Sequence, residues 1–453
     1  MMPILANLRV DALAIFQSGI LAADPYQAVK QHLSVEKQKL SIQCQHSIRS
    51  EDWQKIHLIA IGKAACNMIK AAQEIIPSKL LAPNSLAITN TENAYKIEHI
   101  HIIAAGHPLP DQTGLAAAKQ VYKKVQAAKK NELVLILLSG GGSALLPLPA
   151  EGINLEEKTH ITSLLLSSGA NINEVNCVRK HLSKLKGGQL AQLAMPADLH
   201  TLVLSDVLGD DLSAIASGPS VADSSTFTDA VNILHKYYLW DKTPNAIKLH
   251  LEKGLQGTIP ETPKKNTPCF TQTSHTLIGS NSISLTAITQ HAKKLNYDTQ
   301  VYSSALMGEA KLVAENWVSF IKQKLAQGLS KPLALVAGGE TTVTITGDGL
   351  GGRNQEMALA FAIAANRQPL NAQWVFLSGG TDGRDGPTNS AGGIVDNQTF
   401  SRLVDAGIEP KAYLANNDSY YALKESQDLL VTGATGTNVA DLQILLIHPT
   451  YKE

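Results

Sequence analysis

A two-domain α/β protein is what this sequence predicts, and three observations predict it. Short apolar runs rich in β-branched residues recur, each leading into a glycine-containing turn. They are IHLIAIG (56–62), LVLILLSGGG (133–142), TLVLSDV (201–207), LALVAGGE (333–340) and WVFLSGG (374–380). Each run is apolar on both faces, which suits a parallel sheet covered by helices on either side. Between 241 and 275 the composition turns to Pro, Thr and Lys, and the second half of that stretch reads as a domain connection. The expected architecture is a doubly wound, Rossmann-like parallel sheet over residues 1–245 and a second α/β domain over 246–453. The active site is expected in the cleft between them, because ligands of such sheets gather at the carboxyl ends of the strands.

Leu5, Leu8, Ala12, Ile15 and Gly19 mark one helical stripe at the N-terminus. Asp24-Pro25 reads as the N-cap and first-turn proline of a second helix. Asn7, Arg9, Asp11 and Gln17 interrupt the apolar run, so neither a targeting leader nor a membrane span is expected there. KAACNMIKAAQEII and TGLAAAKQVYKKVQAAKK have helical patterning. Beyond the connection, HTLIGSN predicts a strand, and the strict alternation of TTVTIT predicts a half-exposed one.

Composition narrows the function. Lys+Arg 39 against Asp+Glu 39 leaves a formal charge of zero, so no whole-chain field gathers nucleic acid or an anionic membrane. Hydrophobic residues at 44% exclude wholesale disorder. Abundant glycine, 33 residues, beside only 5% aromatics, points to backbone loops as the working parts. Cys44, Cys66, Cys177 and Cys269 show no C-x-x-C spacing, so a disulfide framework or structural zinc site is not expected and a cytoplasmic location is.

Four glycine loops carry the chemistry. In SGGGSALL, Ser139, Gly140, Gly141 and Gly142 follow a strand and Ser143 opens a helix, so backbone N–H groups and the helix N-terminus favour an anion. The alternative is a tight turn without a ligand. GDGLGGRNQE matches G-x-G-x-x-G at Gly347, Gly349 and Gly352, yet no acid follows at the next strand to hold a dinucleotide ribose. Gly351, Gly352 and Arg353 are therefore read as a phosphate site, against a buried structural arginine. In SGGTDGRDGPT, Thr381 offers a hydroxyl and Asp382 and Asp385 are candidate Mg²⁺ ligands, the alternative being Asx-stapled turns. TGATGTN offers Thr435, Thr437 and Asn438 to phosphate or ribose, or is merely a polar turn.

Three further features stand at strand or helix ends. Lys63 opens a helix after a buried strand; this is no P-loop, because position 57 is His and Ala64 replaces the required Ser or Thr. Asp206 terminates TLVLSD and is the favoured carboxylate for a metal or hydroxyl. Arg179, Lys180, His181, Lys184 and Lys186 gather around one helix, whose bland reading is a solvated basic face with a structural histidine.

The ordered set GKAA, LSGGGSALL, NxVRKHLSKLKGG, SDVxGD…SGP, GGETTV, GxGxGGRNQE, SGGTDGxDGPT and TGxTGTN runs through most of the chain. It resembles the class II glycerate kinase family, the ATP-dependent glycerate 2-kinases, relatives of which are also labelled hydroxypyruvate reductases. The resemblance implies a two-domain α/β enzyme that moves the γ-phosphoryl of ATP to the 2-hydroxyl of D-glycerate, with ATP and Mg²⁺ as cofactors. It implies Lys63, Asp206 and Arg353 as catalytic residues and brings Glu340 of GGETTV into the phosphate-binding set with Arg179 and Lys186. One basic side chain, Lys63 or Arg179, is left to bind the substrate carboxylate. No nucleic-acid or membrane partner is expected, and a homodimer is left open. The second reading is an NAD(P)H-dependent hydroxypyruvate reductase.

Overall fold

The computed structural model describes residues 4–449. The chain forms two compact units: Pro25–Ile278, and the flanking segments up to Asp24 and from Gly279 onward.

In the Pro25–Ile278 unit the core is a six-stranded sheet. Numbered along the chain, its strands are Lys55–Ile61, Ser85–Asn90, Ile100–Ala105, Glu132–Leu138, Asp198–Leu204 and Thr273–Gly279, and their spatial order is 3-2-1-4-5-6. The first four pairings in that order are parallel. This is the doubly wound order, with its switch point between the first and fourth strands. Those two are buried over nearly their whole length, as their unbroken apolar runs predict. Helices Ala65–Ile75 and Gln112–Gln126 cover the sheet, the second capped by Asp111, which accepts from Gly114 N at 2.7 Å.

The expected boundary at 245/246 lies inside this unit. Helix Asn245–Leu255 buries Ile247 and Leu251, Cys269 is buried, and Thr262 donates to Asp223 at 3.0 Å. Composition alone made the second half of 241–275 look like a domain connection. A few apolar residues at helical spacing are enough to fold it onto the rest of the unit.

The second unit is built on a mixed sheet. Its strands, in spatial order, are Asp298–Leu306, Leu333–Gly339, Asp441–Pro449, Ala372–Gly380, Gly392–Asp396 and Leu429–Leu430. Only the first pair is parallel. Strand Asp441–Pro449 alternates faces in the period of two that a strand imposes. Leu442, Ile444 and Leu446 join one core with helix Ile4–Ala22, while Leu445 and Ile447 join the opposite core with helices Ala310–Ala326 and Arg353–Arg367.

Helix Ile4–Ala22 buries Leu8, Ala12, Ile15 and Gly19 of the predicted stripe. It is, among the described residues, the one helix long and apolar enough to cross a membrane by length and composition. TTVTIT is not a strand: only Thr342 forms a bridge, to Glu309. Side chains satisfy its backbone instead, with Thr344 N donating to Glu309 and Thr346 N to Asn417.

Candidate active site

At the switch point two loops are stitched together. Ser139 N donates to Ile61 O at 2.9 Å, Lys63 N to Gly140 O at 2.9 Å, and Ala64 N to the buried Ser139 hydroxyl at 3.1 Å. Ser139 thus holds the loop itself together. A methyl group on Gly140 would sit 2.2 Å from Asp206 Oδ2, so glycine there lets the carboxylate lie against the backbone. Gly141 has φ +86°, and a methyl group on it would lie 3.1 Å from the His107 ring and 3.4 Å from Lys63 Cγ. Lys63, Gly140, Gly141 and Asp206 therefore share one spot, joined by His107, which sequence reasoning missed.

The loop continues into a single helical turn, Gly142–Leu145. Gly142 packs against Ala216, and Ser143 Oγ lies 3.0 Å from Ser217 Oγ. Lys186 Nζ donates to Ser143 O at 3.1 Å and to Ala216 O at 3.3 Å, pinning the two segments.

Beside this loop opens a pocket of about 240 Å³, bordered by His107, Gly141, Ser143, Lys158, Arg179 and Lys186, with no carboxylate among the described residues that line it. Burial pushes the Lys158 ammonium down to about 7, and the Arg179 charge adds to that. Burial, then the charges of Lys158 and Arg179, holds Lys186 well below the usual lysine range. Burial lowers Arg179 as well, and His107 is lowered by burial and by Lys63. Every shift runs against the cation, as expected where positive groups are crowded without a counter-ion. The predicted pair Arg179 and Lys186 thus converges on the predicted glycine loop.

Lys158 was missed, although it sits on the stripe of Leu155, Ile161 and Leu165 that its helix Leu155–Ser167 buries. Lys158→Met should raise the thermal midpoint at pH 6 by at least ~2 °C, because it removes a charge buried without a carboxylate. The sign follows from a depressed folded-state value: the unfolded chain binds more protons from about 7 upward, so the wild type gains stability there. The variant's advantage should therefore shrink between pH 6 and pH 9, as thermal melts at both would register.

A larger cavity of about 690 Å³ in the same unit is lined by His181, Phe227, His250 and Glu261 but by none of the glycine-loop residues. His181 is structural, its ring nitrogens placed 2.8 Å from Cys177 O and 3.2 Å from Glu261.

The remaining predicted residues form a second cluster, in the other unit. Arg353 opens helix Arg353–Arg367, with Nε and Nη2 donating to the two oxygens of fully buried Asp441 at 2.6 and 2.9 Å. Its Nη1 lies 2.9 Å from Glu340. Burial opposes the guanidinium charge, but Asp441, Glu340 and Asp385 outweigh it and raise Arg353 further. Glu340 is hence a partner of Arg353 rather than itself a phosphate ligand.

Several expectations are corrected here. The anion at this helix N-terminus is the protein's own: Asp385 accepts from Asn354 N at 3.2 Å and Gln355 N at 2.8 Å. A methyl group on Gly352 would lie 2.4 Å from Asp385 Cγ, and one on Gly351 2.3 Å from Ser419 Oγ. Glycine at both positions lets these protein side chains lie against the backbone. Burial raises the Asp385 carboxyl to about 7, against the two helix N–H groups. With both oxygens engaged, Asp385 does not fit a metal. Asp382 is half-buried, and its Oδ1 accepts from Arg384 N at 3.0 Å in an Asx turn.

Thr381 donates to Ala440 O at 2.6 Å and accepts from Val439 N, Thr435 donates to Thr381 O at 2.6 Å, and Thr437 donates to Ala23 O at 2.7 Å. Those three hydroxyls serve the fold. Asn438 Oδ1 accepts from Ala440 N at 3.2 Å, in a half-buried position. Among the described residues no cluster of three or more His, Cys, Asp or Glu is arranged to hold a metal ion.

Comparison with known proteins decides the family. A domain of unknown function, DUF4147, matches residues 11–252, and the MOFRL family matches residues 333–441. The chain is 42% identical to a glycerate 2-kinase from Pyrococcus horikoshii, over 97% of this chain and 98% of that one. The chain belongs to the glycerate kinase family. The fold of a crystallised glycerate kinase from Thermotoga maritima agrees, with a TM-score of 0.86 at 40% identity, covering 98% of this chain and 100% of that one. The family's names are not uniform: a relative from Agrobacterium vitis, 36% identical over 96% of this chain and 93% of its own length, bears the provisional name hydroxypyruvate reductase.

Proposed function

We propose that this protein is a glycerate 2-kinase that transfers the γ-phosphoryl of ATP to the 2-hydroxyl of D-glycerate. The observation that carries the reading is the carboxylate-free cationic pocket beside Lys63 and Asp206 at the sheet's switch point. At about 240 Å³ it is below the ~300–1,000 Å³ typical of drug-sized ligands, so it suits a three-carbon acid better than a whole nucleotide.

Phosphoryl transfer needs positioning and charge neutralisation more than covalent chemistry. Arg179 and Lys186 bind the glycerate carboxylate. Asp206 orients the 2-hydroxyl and accepts its proton as the bond to phosphorus forms. Lys63 offsets charge on the equatorial oxygens, and ADP leaves with the displaced electron pair. Asp382 is the carboxylate that fits Mg²⁺, which prefers one or two carboxylates together with phosphates and retained water. Bound there, the ion would supply charge neutralisation on the nucleotide. Four free thiols suit a reducing compartment, so we place the protein in the cytoplasm.

The reductase reading loses support because the helix N–H groups that a dinucleotide pyrophosphate would need after Gly352 are taken by Asp385. Purified protein should convert ATP and D-glycerate to ADP and 2-phosphoglycerate, and chelation of Mg²⁺ should stop it. NADH oxidation with hydroxypyruvate and no ATP turnover would overturn this reading. Phosphorus NMR separates 2- from 3-phosphoglycerate and tests the regiochemistry by itself.

A further inference from the structure

The protein's buried lysines are of two kinds. Lys180 is neutralised by Asp223, whose Oδ1 lies 3.2 Å from its Nζ. Lys158 is equally buried, yet among the described residues its Nζ reaches only the carbonyl oxygens of Pro147 and Leu148, both at 3.4 Å. A capped helix delivers it there. Asn154 and Glu157 form a reciprocal capping box, and Lys158 then falls on the face that carries Leu155 and Ile161 inward.

The groups facing Lys158 across the pocket are Arg179, Lys186 and His107, none of them a carboxylate. The acids of its own helix turn elsewhere: Glu157 accepts from Asn154 N, and Glu156 is exposed. An ammonium so placed costs stability that a methionine would not. That expense is explained if a ligand anion completes the charge balance.

We propose that Lys158 is a third anion-binding residue of the acid-substrate pocket, and that it takes up a proton from solvent when the substrate carboxylate enters. This rests on the kinase reading for the identity of the acid, not for the site. In the empty pocket burial and Arg179 hold Lys158 near 7, so above neutrality much of it is uncharged. A carboxylate in contact with it favours the charged form and draws the proton in. Atoms balance simply: one solvent proton moves to Nζ, and the acid binds as its anion.

The test is calorimetric titration of D-glycerate into the full-length protein with ADP and Mg²⁺ present, at pH 8, in two buffers of different ionisation enthalpy. The dependence of heat on buffer gives the protons taken up. Wild-type protein should take up a substantial fraction of one proton per glycerate at pH 8 and less at pH 6. Lys158→Met should bind glycerate about 10- to 100-fold more weakly, the usual worth of a charge-assisted hydrogen bond, and with reduced proton uptake. Thermal melts confirm that the variant is folded, and the wild-type proton count does not depend on any variant.

Unchanged affinity or unchanged proton uptake in Lys158→Met overturns the assignment, as does the absence of uptake in the wild type. ATP-dependent phosphorylation of glycerate, assayed separately, tells the two failures apart. Turnover with no effect of Lys158 sinks only this inference, whereas no turnover sinks the kinase reading.

Discussion

Arg353→Ala should lower kcat by about 10³-fold, the range found for arginines that neutralise charge in phosphoryl transfer. Arg353→Lys should recover only part, because an ammonium cannot reproduce the planar fork. From the sequence, an arginine in a phosphate-binding loop is expected to support little of the core. The structure changes that expectation. Both oxygens of buried Asp441 are held by this guanidinium, and removing it strands a carboxylate in the core. Breaking a buried pair costs ~3–5 kcal/mol; with Arg353 about one-third exposed, ~2–4 kcal/mol is a better expectation. The double variant Arg353→Ala/Asp441→Asn should therefore regain most of the lost thermal stability and none of the lost kcat. If the single variant keeps a near-normal kcat, Arg353 serves the fold alone.

Asp206→Asn should cost about 10²- to 10⁴-fold in kcat, the usual worth of a positioned general base, with little change in KM for ATP. Gly140→Ala offers an independent route to the same group. Its methyl would occupy the space 2.2 Å from Asp206 Oδ2, so the carboxylate must move although its chemistry is intact. That variant should lose a comparable share of kcat while its thermal midpoint stays close to wild type. Full activity in Gly140→Ala would mean that the position of Asp206 does not matter to the reaction.

The legible parts of the sequence were those with a local signature. A buried strand running into a glycine turn and a helix identified the switch-point loops, because each piece of that signal lies within about ten residues. Strand Asp441–Pro449 lacks it. LQILLIH is an apolar run with no turn and helix after it, and it was passed over although it is central to its sheet. The site residues divide the same way. Arg179 and Lys186 stood out as cations in a basic cluster, whereas Lys158 hid in an ordinary helix and needed its burial to be seen. Asp385 and Gly352 were read separately, as a metal ligand and a phosphate cradle. Their actual relation, one filling the space the other leaves, joins positions over thirty residues apart and has no local spelling. TTVTIT failed for a related reason: alternation makes a strand only where a neighbouring strand accepts it, and here Glu309 and Asn417 side chains satisfied the backbone first.

Helix Ile4–Ala22 and strand Asp441–Pro449 share one core, yet more than 400 residues separate them along the chain. On a ribosome making about 5–20 residues per second, the helix emerges some tens of seconds before the strand that its apolar stripe will cover. The whole Pro25–Ile278 unit is synthesised in that interval and can fold within it. Synthesis order thus makes the unit that owns the first helix the last to be completed, and leaves that helix as the segment most in need of shelter while the chain is still growing.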